Sequence, residues 1–166
     1  MNRYKNSEFS KIVSPILGIS DFNKLKEIDH HGITRYDHSL RVAYHTYKIT
    51  KFLHLNYKEA TIAALVHDFF IDEVEDYNGV FKLRRHPDVA FFNASKYLDL
   101  SEMQEDIIKT HMFPVTFTPP KYLESWIVDV IDDVAAIYEK SYTTKNQLSK
   151  ATMFIAVILI NYFRVR

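Results

Sequence analysis

The sequence contains no cysteine, and only three glycines and five prolines occur among its 166 residues. Without cysteine, the chain has no thiol nucleophile, no disulfide and no cysteine-ligated zinc or iron–sulfur cluster. The glycines, Gly18, Gly32 and Gly79, are too far apart for a phosphate-binding P-loop or a dinucleotide-binding turn. Any metal chemistry must therefore use nitrogen and oxygen ligands, which eight histidines and 21 acidic residues can supply.

The chain also lacks net charge, because 21 Lys and Arg residues balance 21 Asp and Glu residues. A neutral protein has no general attraction for nucleic acid or anionic membranes, so we expect no nucleic-acid surface. The strongest apolar run, Met153 to Ile160, is shorter than the roughly 20 residues that a bilayer requires, and no transmembrane segment is expected. The N-terminal MNRYKNSEFSK lacks the apolar stretch of a secretory signal, which predicts a cytoplasmic protein.

The spacing of apolar residues predicts an all-α fold, since they recur three and four positions apart and helix breakers are scarce. With 47% hydrophobic residues, the chain has enough apolar mass for one core. We expect a single-domain helical bundle over 1–166. Helices are predicted over 58–67, from the Ser101 capping box towards His111, and from about Ser125 to Glu139.

Three further elements are predicted from local signals. His86 precedes Pro87, which suits the first helical position, so His86 is predicted to be a helix N-cap. The preceding segment, 72–85, contains Gly79 and several charges and is predicted to be an irregular connection. The apolar residues at about 150–163 predict a terminal helix, buried in the core or against a partner, through which a homo-oligomer could form.

The sharpest local feature is the His67–Asp68 doublet, which ends the apolar segment ATIAALVHDFF. Both side chains are costly to bury unless a hydrogen-bond partner or a metal satisfies them. A second carboxylate, Asp132, lies on the apolar stripe of its predicted helix and would need a cation or several hydrogen-bond donors there. Its neighbours Asp129 and Asp133 share a different face and are predicted to be a solvated pair.

The order of these residues resembles the signature of the HD-domain superfamily of metal-dependent phosphohydrolases. That signature is a histidine, a His–Asp doublet and a distant aspartate, matched here by His38, His67, Asp68 and Asp132. The segments HHGITRYDHSLRVAYHTYK, ALVHDFF, RHPDVAFFNASK, IIKTHMFP and SWIVDVIDDVAAIYE also resemble small bacterial members, over about 30–139. Members that bind two metals carry two more histidines before the last aspartate, at the places of His86 and His111.

The resemblance implies a single HD-like domain with one or two divalent transition metal ions, of Fe, Mn, Ni, Co or Zn. The implied ligands are His38, His67, Asp68, His86, His111 and Asp132. Asp68 would bridge two ions, and His67 and Asp68 would belong to the catalytic centre. The implied activity is hydrolysis of a small phosphomonoester or phosphoanhydride, such as a nucleotide, by a metal-bound hydroxide.

Phosphate recognition needs local positive charge, because the chain as a whole is neutral. Arg41, one turn beyond His38, could bind a phosphate or orient a carboxylate near the metals. Arg84 and Arg85, just before His86, are further predicted substrate-binding residues, although such a run is also typical of a solvated surface.

The remaining histidines are given structural interpretations. His45, two turns beyond His38, is predicted to be a satisfied core residue. His54 is predicted to cap a helix C-terminus. His30 and His31 are predicted to lie in a loop before the His38 helix, although His31 has a counterpart in similar proteins and could face the site.

Two other functional classes fit the same residues. A non-catalytic helical module would use the metal structurally and bind a partner through the terminal apolar helix. A di-iron oxygenase could use the same ligand order, as in proteins similar to myo-inositol oxygenase. Metal content, phosphate release and oxygen consumption discriminate these classes.

Overall fold

The structure is a computed structural model that describes residues 6–30, 32–71 and 79–164, with side chains up to 145 except at 143. Seven α-helices hold most of these residues: α1 Ser7–Leu17, α2 Ser20–Asn23, α3 Arg35–Phe52, α4 Tyr57–Val66, α5 Val80–Ser95, α6 Glu102–Thr110 and α7 Leu123–Arg164. A short 3-10 helix, Lys24–Glu27, leads into a two-stranded antiparallel hairpin of β1 Asp29–His30 and β2 Ile33–Thr34. The predicted all-α class is confirmed.

The β-hairpin directly precedes α3. Asp29 pairs with Thr34 and His30 pairs with Ile33. Gly32 has a φ of 86°, a conformation that glycine adopts without steric cost. The Thr34 side chain then accepts a hydrogen bond from the Asp37 backbone N–H at 3.1 Å and caps α3. His38 consequently lies in the first turns of α3, next to the hairpin.

The centre of the bundle is the packing of α3 against α4. Small residues on both helices are fully buried, among them Ala43 on α3 and Ala60, Ala63 and Ala64 on α4. Small side chains let two helix backbones approach closely and pack with few voids. Because α4 ends at Val66, this packing holds the next residues, His67 and Asp68, inside the bundle.

The capping box predicted at the start of α6 is present. Ser101 accepts the Gln104 backbone N–H through its hydroxyl at 3.3 Å, and the Gln104 side chain accepts the Ser101 backbone N–H at 3.0 Å. The helix continues to Thr110, so His111 occupies its C-cap. Because the capping box fixes the start of α6 and the helix runs to Thr110, His111 lies at the buried end of α6.

The prediction that His86 is an N-cap is wrong, because α5 begins at Val80 and His86 lies inside it. Pro87 is thus an interior residue, at a cost of about 3 kcal/mol to an isolated helix. One face of the helix, with His86, Ala90 and Asn93, is buried and offsets that cost. Residues 80–85 are helical rather than irregular, whereas 72–78 of the predicted connection lie outside the described residues.

The last helix is longer than the sequence indicates. A helix from about Ser125 to Glu139 and a separate one at about 150–163 were expected, but α7 is continuous from Leu123 to Arg164. The side chains of 146–164 lie outside the described residues, so burial of the terminal apolar run stays a prediction. Within the described part of the chain, no helix has the combination of length and apolar character that crossing a membrane would require.

Candidate metal centre

Five helices bring the six predicted ligands to one buried place in the bundle. His38 comes from α3, the doublet follows α4, His86 lies in α5, and the last two lie at the end of α6 and in α7. All six side chains are buried: His38, His67, Asp68, His86, His111 and Asp132. Residues far apart in sequence thus converge, although metal ligation itself stays a prediction.

Three of these residues form what we call the Asp132 group: His38, His67 and Asp132. The His38 Nε2 atom lies 2.8 Å from Asp132 Oδ1, and the His67 Nε2 atom lies 3.4 Å from the same oxygen. One ligand atom from each residue lies within 4.8 Å of the others, an arrangement that could hold a metal ion. Among the described residues, the buried Nε2 atom of His67 has no hydrogen-bond partner.

The remaining two histidines form the His86–His111 pair, which faces Asp68. Their Nε2 atoms are 2.9 Å apart and lie 3.3 Å and 3.7 Å, respectively, from Asp68 Oδ1. The other carboxylate oxygen, Oδ2, lies 4.0 Å from His67 Nε2. Asp68 therefore presents one oxygen to each group, which is the geometry that a bridging ligand needs.

The Nδ1 atoms determine which ring nitrogens can bind a metal. In three histidines Nδ1 lies against a backbone carbonyl: Ala64 for His67 at 2.7 Å, Lys82 for His86 at 3.1 Å and Ile108 for His111 at 2.7 Å. A carbonyl can only accept, so Nδ1 carries a proton, and in the neutral ring Nε2 keeps its lone pair. This second interaction is characteristic of metal-binding histidines.

The His86–His111 pair would be unfavourable as two neutral rings. Each ring has its proton on Nδ1, so two Nε2 lone pairs would face each other across 2.9 Å. Either a proton or a cation between the rings removes that repulsion. The donor set of imidazole nitrogens and carboxylate oxygens therefore fits a divalent transition metal ion.

A family model for the HD domain matches residues 35–137, which is more than half of the chain and includes all six residues. The chain belongs to the HD domain family. Members of this family are mostly metal-dependent hydrolases, and they bind divalent metal ions. No curated protein matches the chain significantly.

The charges of the HD domain centre favour cation binding. Burial raises the pKa of Asp68 and Asp132, but attraction to the surrounding histidines, above all His67, outweighs burial and holds both pKa values well below the usual range. Both carboxylates are therefore ionised at neutral pH. Burial also lowers the pKa of His86 to about 4, so that ring is neutral and able to act as a ligand.

His38 differs from the other three histidines because both of its ring nitrogens face carboxylates. Asp132 lies at Nε2, and Glu139 accepts from Nδ1 at 2.9 Å. Burial would lower the pKa of His38, but these two hydrogen bonds outweigh it and raise the pKa to about 10. In the metal-free HD domain this ring is an imidazolium, and a metal ion would compete with the proton on Nε2.

Two residues of the HD domain centre were not predicted from the sequence to belong to it. His30 was assigned to a loop, but it is part-buried in β1, with its ring centroid 4.5 Å from that of His38. With His38 and Asp68 it forms a third group that could hold a metal ion. Glu139 was predicted only as a helix end, although it lies seven residues after Asp132, on the same helical face. His31 lies outside the described residues.

The predicted phosphate-binding arginines occupy different surroundings. Arg41 forms an ion pair with Glu139 and lies 5.6 Å from the ring centroid of Tyr138. Arg84 and Arg85 are exposed on α5, where the Arg84 Nε atom donates to the Val115 carbonyl at 3.0 Å. Phosphate binding by these three arginines stays a prediction.

Two predictions about surrounding residues are wrong. His45 is exposed and not part of the core, because its position on α3 faces a groove between α3 and α7. Asp129 is buried and is not one of a solvated pair, whereas Asp133 is exposed. The face that Asp129 shares with Ser125 packs on α6, where Ser125 donates to the buried Asp106 at 2.7 Å.

Proposed function

We propose that this HD domain protein is a metal-dependent phosphohydrolase that cleaves a small phosphomonoester or phosphoanhydride, such as a nucleotide. One observation carries the proposal: four imidazoles direct Nε2 atoms at a buried space that two ionised carboxylates share. Asp68 offers one oxygen to each group of histidines there. Imidazole and carboxylate ligands of this kind support the polarisation of a phosphoryl group and the activation of water.

The residues would divide between two ions. The Asp132 group would hold one ion, the His86–His111 pair would hold the other, and Asp68 would contribute to both. When bound, the ions would supply positive charge for the phosphoryl oxygens and would acidify a water molecule. Asp68 lies between the two groups, His67 lies beside it in the Asp132 group, and both would position the reacting atoms.

The neutral net charge is consistent with a small substrate. A chain with zero net charge has no overall attraction for a polyanion, so phosphate recognition would depend on the metal ions and a few cations. Arg84 and Arg85, exposed beside His86 on α5, are the side chains that we propose for that role. Their substitution by Gln should raise KM and leave metal content unchanged.

The test combines metal analysis with a panel of phosphate esters and anhydrides, with Mn²⁺, Co²⁺, Ni²⁺ and Fe²⁺ added in turn. We expect bound metal and phosphate release in the wild-type protein, and loss of both in His67→Ala and Asp68→Ala. His45→Ala is the matched control, because it removes an exposed imidazole of the same helix bundle.

Three results would contradict the proposal. A metal-free wild-type protein that the two variants match in every assay would exclude a metal-dependent enzyme. Oxygen consumption without phosphate release would identify an oxygenase. Bound metal with neither activity, together with a partner lost on deletion of the terminal helix, would identify an interaction module.

A further inference from the structure

His38 is held in a different way from the other histidines of the centre. They donate from Nδ1 to backbone carbonyls, whereas His38 donates to the Glu139 carboxylate at 2.9 Å. Glu139 is only 2% exposed, so water provides little screening of its charge. A negative acceptor at Nδ1 binds the ring more strongly than a carbonyl and makes Nε2 a more basic ligand.

One helix, α7, holds His38 from both sides. Asp132 and Glu139 are two turns apart on the same face of α7, and each places a carboxylate oxygen at one of the two ring nitrogens. These two hydrogen bonds favour one orientation of the imidazole ring. This orientation keeps Nε2 directed at the space that it shares with His67.

A buried carboxylate needs a further partner, and Arg41 provides it. The guanidinium forms an ion pair with Oε1 of Glu139, while Oε2 accepts from His38. Arg41 lies on α3, three residues after His38, so one helix supplies both partners of the carboxylate. Both carboxylate oxygens of Glu139 thus have a partner. Because a buried charge without a partner is costly, loss of the ion pair with Arg41 would disfavour burial of Glu139.

We propose that Glu139, held by Arg41, is a positioning residue for His38 that strengthens metal binding by the Asp132 group relative to the His86–His111 pair. The proposal rests on the metal binding in the proposed function and does not depend on phosphate hydrolysis. In this proposal Arg41 holds the Glu139 carboxylate and does not bind substrate. A purely structural role for Glu139, as a link between α3 and α7, would change stability but not metal affinity.

The experiment is a Co²⁺ titration of the chelator-treated full chain, followed by visible absorption with a competing chelator, for wild type and Glu139→Gln. Glutamine preserves the shape and one acceptor oxygen but removes the charge. We expect the affinity of one Co²⁺ site to fall by about 10- to 100-fold and the other to change less. Nitrogen-15 spectra of the histidine rings should show a changed His38 signal.

Two further variants separate positioning from packing. Arg41→Gln should weaken the same Co²⁺ site by a smaller factor, because Glu139 keeps its charge, and this loss should be visible without any substrate. Glu124→Gln is the matched control: Glu124 is a buried carboxylate of α7 that accepts the Asn56 backbone N–H at 3.0 Å. It should lower the unfolding temperature and leave both Co²⁺ affinities unchanged.

The outcomes distinguish this inference from the proposed function. Unchanged Co²⁺ affinities in Glu139→Gln, with wild-type binding intact, would overturn the inference alone. A wild-type protein that binds no Co²⁺ would overturn both. Weakened binding in Glu139→Gln together with no phosphate release from any tested ester would support the inference and contradict the phosphohydrolase assignment.

Discussion

The two halves of the centre are built differently. The Asp132 group comes from α3, α7 and the end of α4, which pack closely on one another, and it contains a carboxylate of its own. The His86–His111 pair comes from α5 and the end of α6, relies on Asp68 for its carboxylate, and is oriented by backbone carbonyls. We infer that the first half is preorganised for a cation, whereas the second depends more on Asp68.

The largest effect should follow removal of the group that both halves share. Asp68→Asn keeps the size of the side chain but replaces one carboxylate oxygen by an N–H donor that repels cations. We expect both metal sites to weaken and kcat/KM to fall by about a thousandfold, or roughly 4 kcal/mol. Metal analysis by mass spectrometry and phosphate-release assays check this expectation.

A matched substitution on the surface controls for the loss of one acidic group. Asp133→Asn removes an exposed aspartate one residue beyond Asp132 and should retain wild-type metal content. If Asp68→Asn also retained two ions, Asp68 would not be the shared ligand, and the two halves would be independent sites.

A smaller and unequal effect should follow removal of one histidine from each half. In protein loaded with two ions, His111→Gln should release one ion and lower kcat/KM by about a hundredfold. His38→Gln leaves His67, Asp132 and Asp68 in the half that has its own carboxylate, so this half should lose less metal affinity than the other half loses in His111→Gln. Competition titrations with Co²⁺ measure both affinities. Equal losses in the two variants would contradict the difference between the halves.

The residues that converge in the centre could be predicted from the sequence, because the prediction depends on residue type and order. His67 and Asp68 were predicted from a doublet in an apolar segment, Asp132 was predicted from its place on an apolar helical stripe, and His38 was predicted only from the family resemblance. Their convergence follows from helices that the sequence also predicts, notably α4, with its small residues, and α6, with its capping box. Local signals are sufficient where local physics decides the structure.

The errors occur where tertiary packing overrides a local rule. Pro87 indicates a helix start, but burial of one face of α5 extends the helix back to Val80. His30 reaches His38 only because a hairpin folds β1 against the start of α3. Glu139 could have been found, because its spacing of seven from Asp132 places it on the same buried face of α7.

Asp129 illustrates the same limit, because neighbours in sequence do not determine its burial. Its Oδ1 atom is buried and, in the part of the chain that the structure describes, has no hydrogen-bond partner. Burial and then repulsion by Asp133 raise the pKa of Asp129 to about 6, while His111 partly opposes the shift. This carboxyl group lies one turn before Asp132. Its pKa therefore depends on the charges of α7 and of His111 beside the centre.

The smallest predicted effect is a change in the pH dependence of stability in Asp129→Asn. The folded-state pKa of about 6 lies above the unfolded value of about 3.9, so the folded protein binds the proton more tightly. Asp129 therefore makes its whole contribution to the free energy of unfolding below about pH 4, and this contribution is lost as the pH rises through 6. Between pH 4 and 7.5, the free energy of unfolding of the variant should rise relative to that of wild type by about 1 kcal/mol. This value is reduced for solvent screening, because Asp133 is exposed.

Urea denaturation of both proteins in the presence of a chelator, at several pH values, measures this difference. Subtracting wild type from variant removes the titration of the histidines that both share, so the remaining slope belongs to Asp129. Asp133→Asn should reduce the slope in part, because it removes the repulsion but not the burial. A difference that is constant from pH 4 to 7.5 would mean that the Asp129 carboxyl group titrates normally, and that α7 adds no unfavourable negative charge beside the centre.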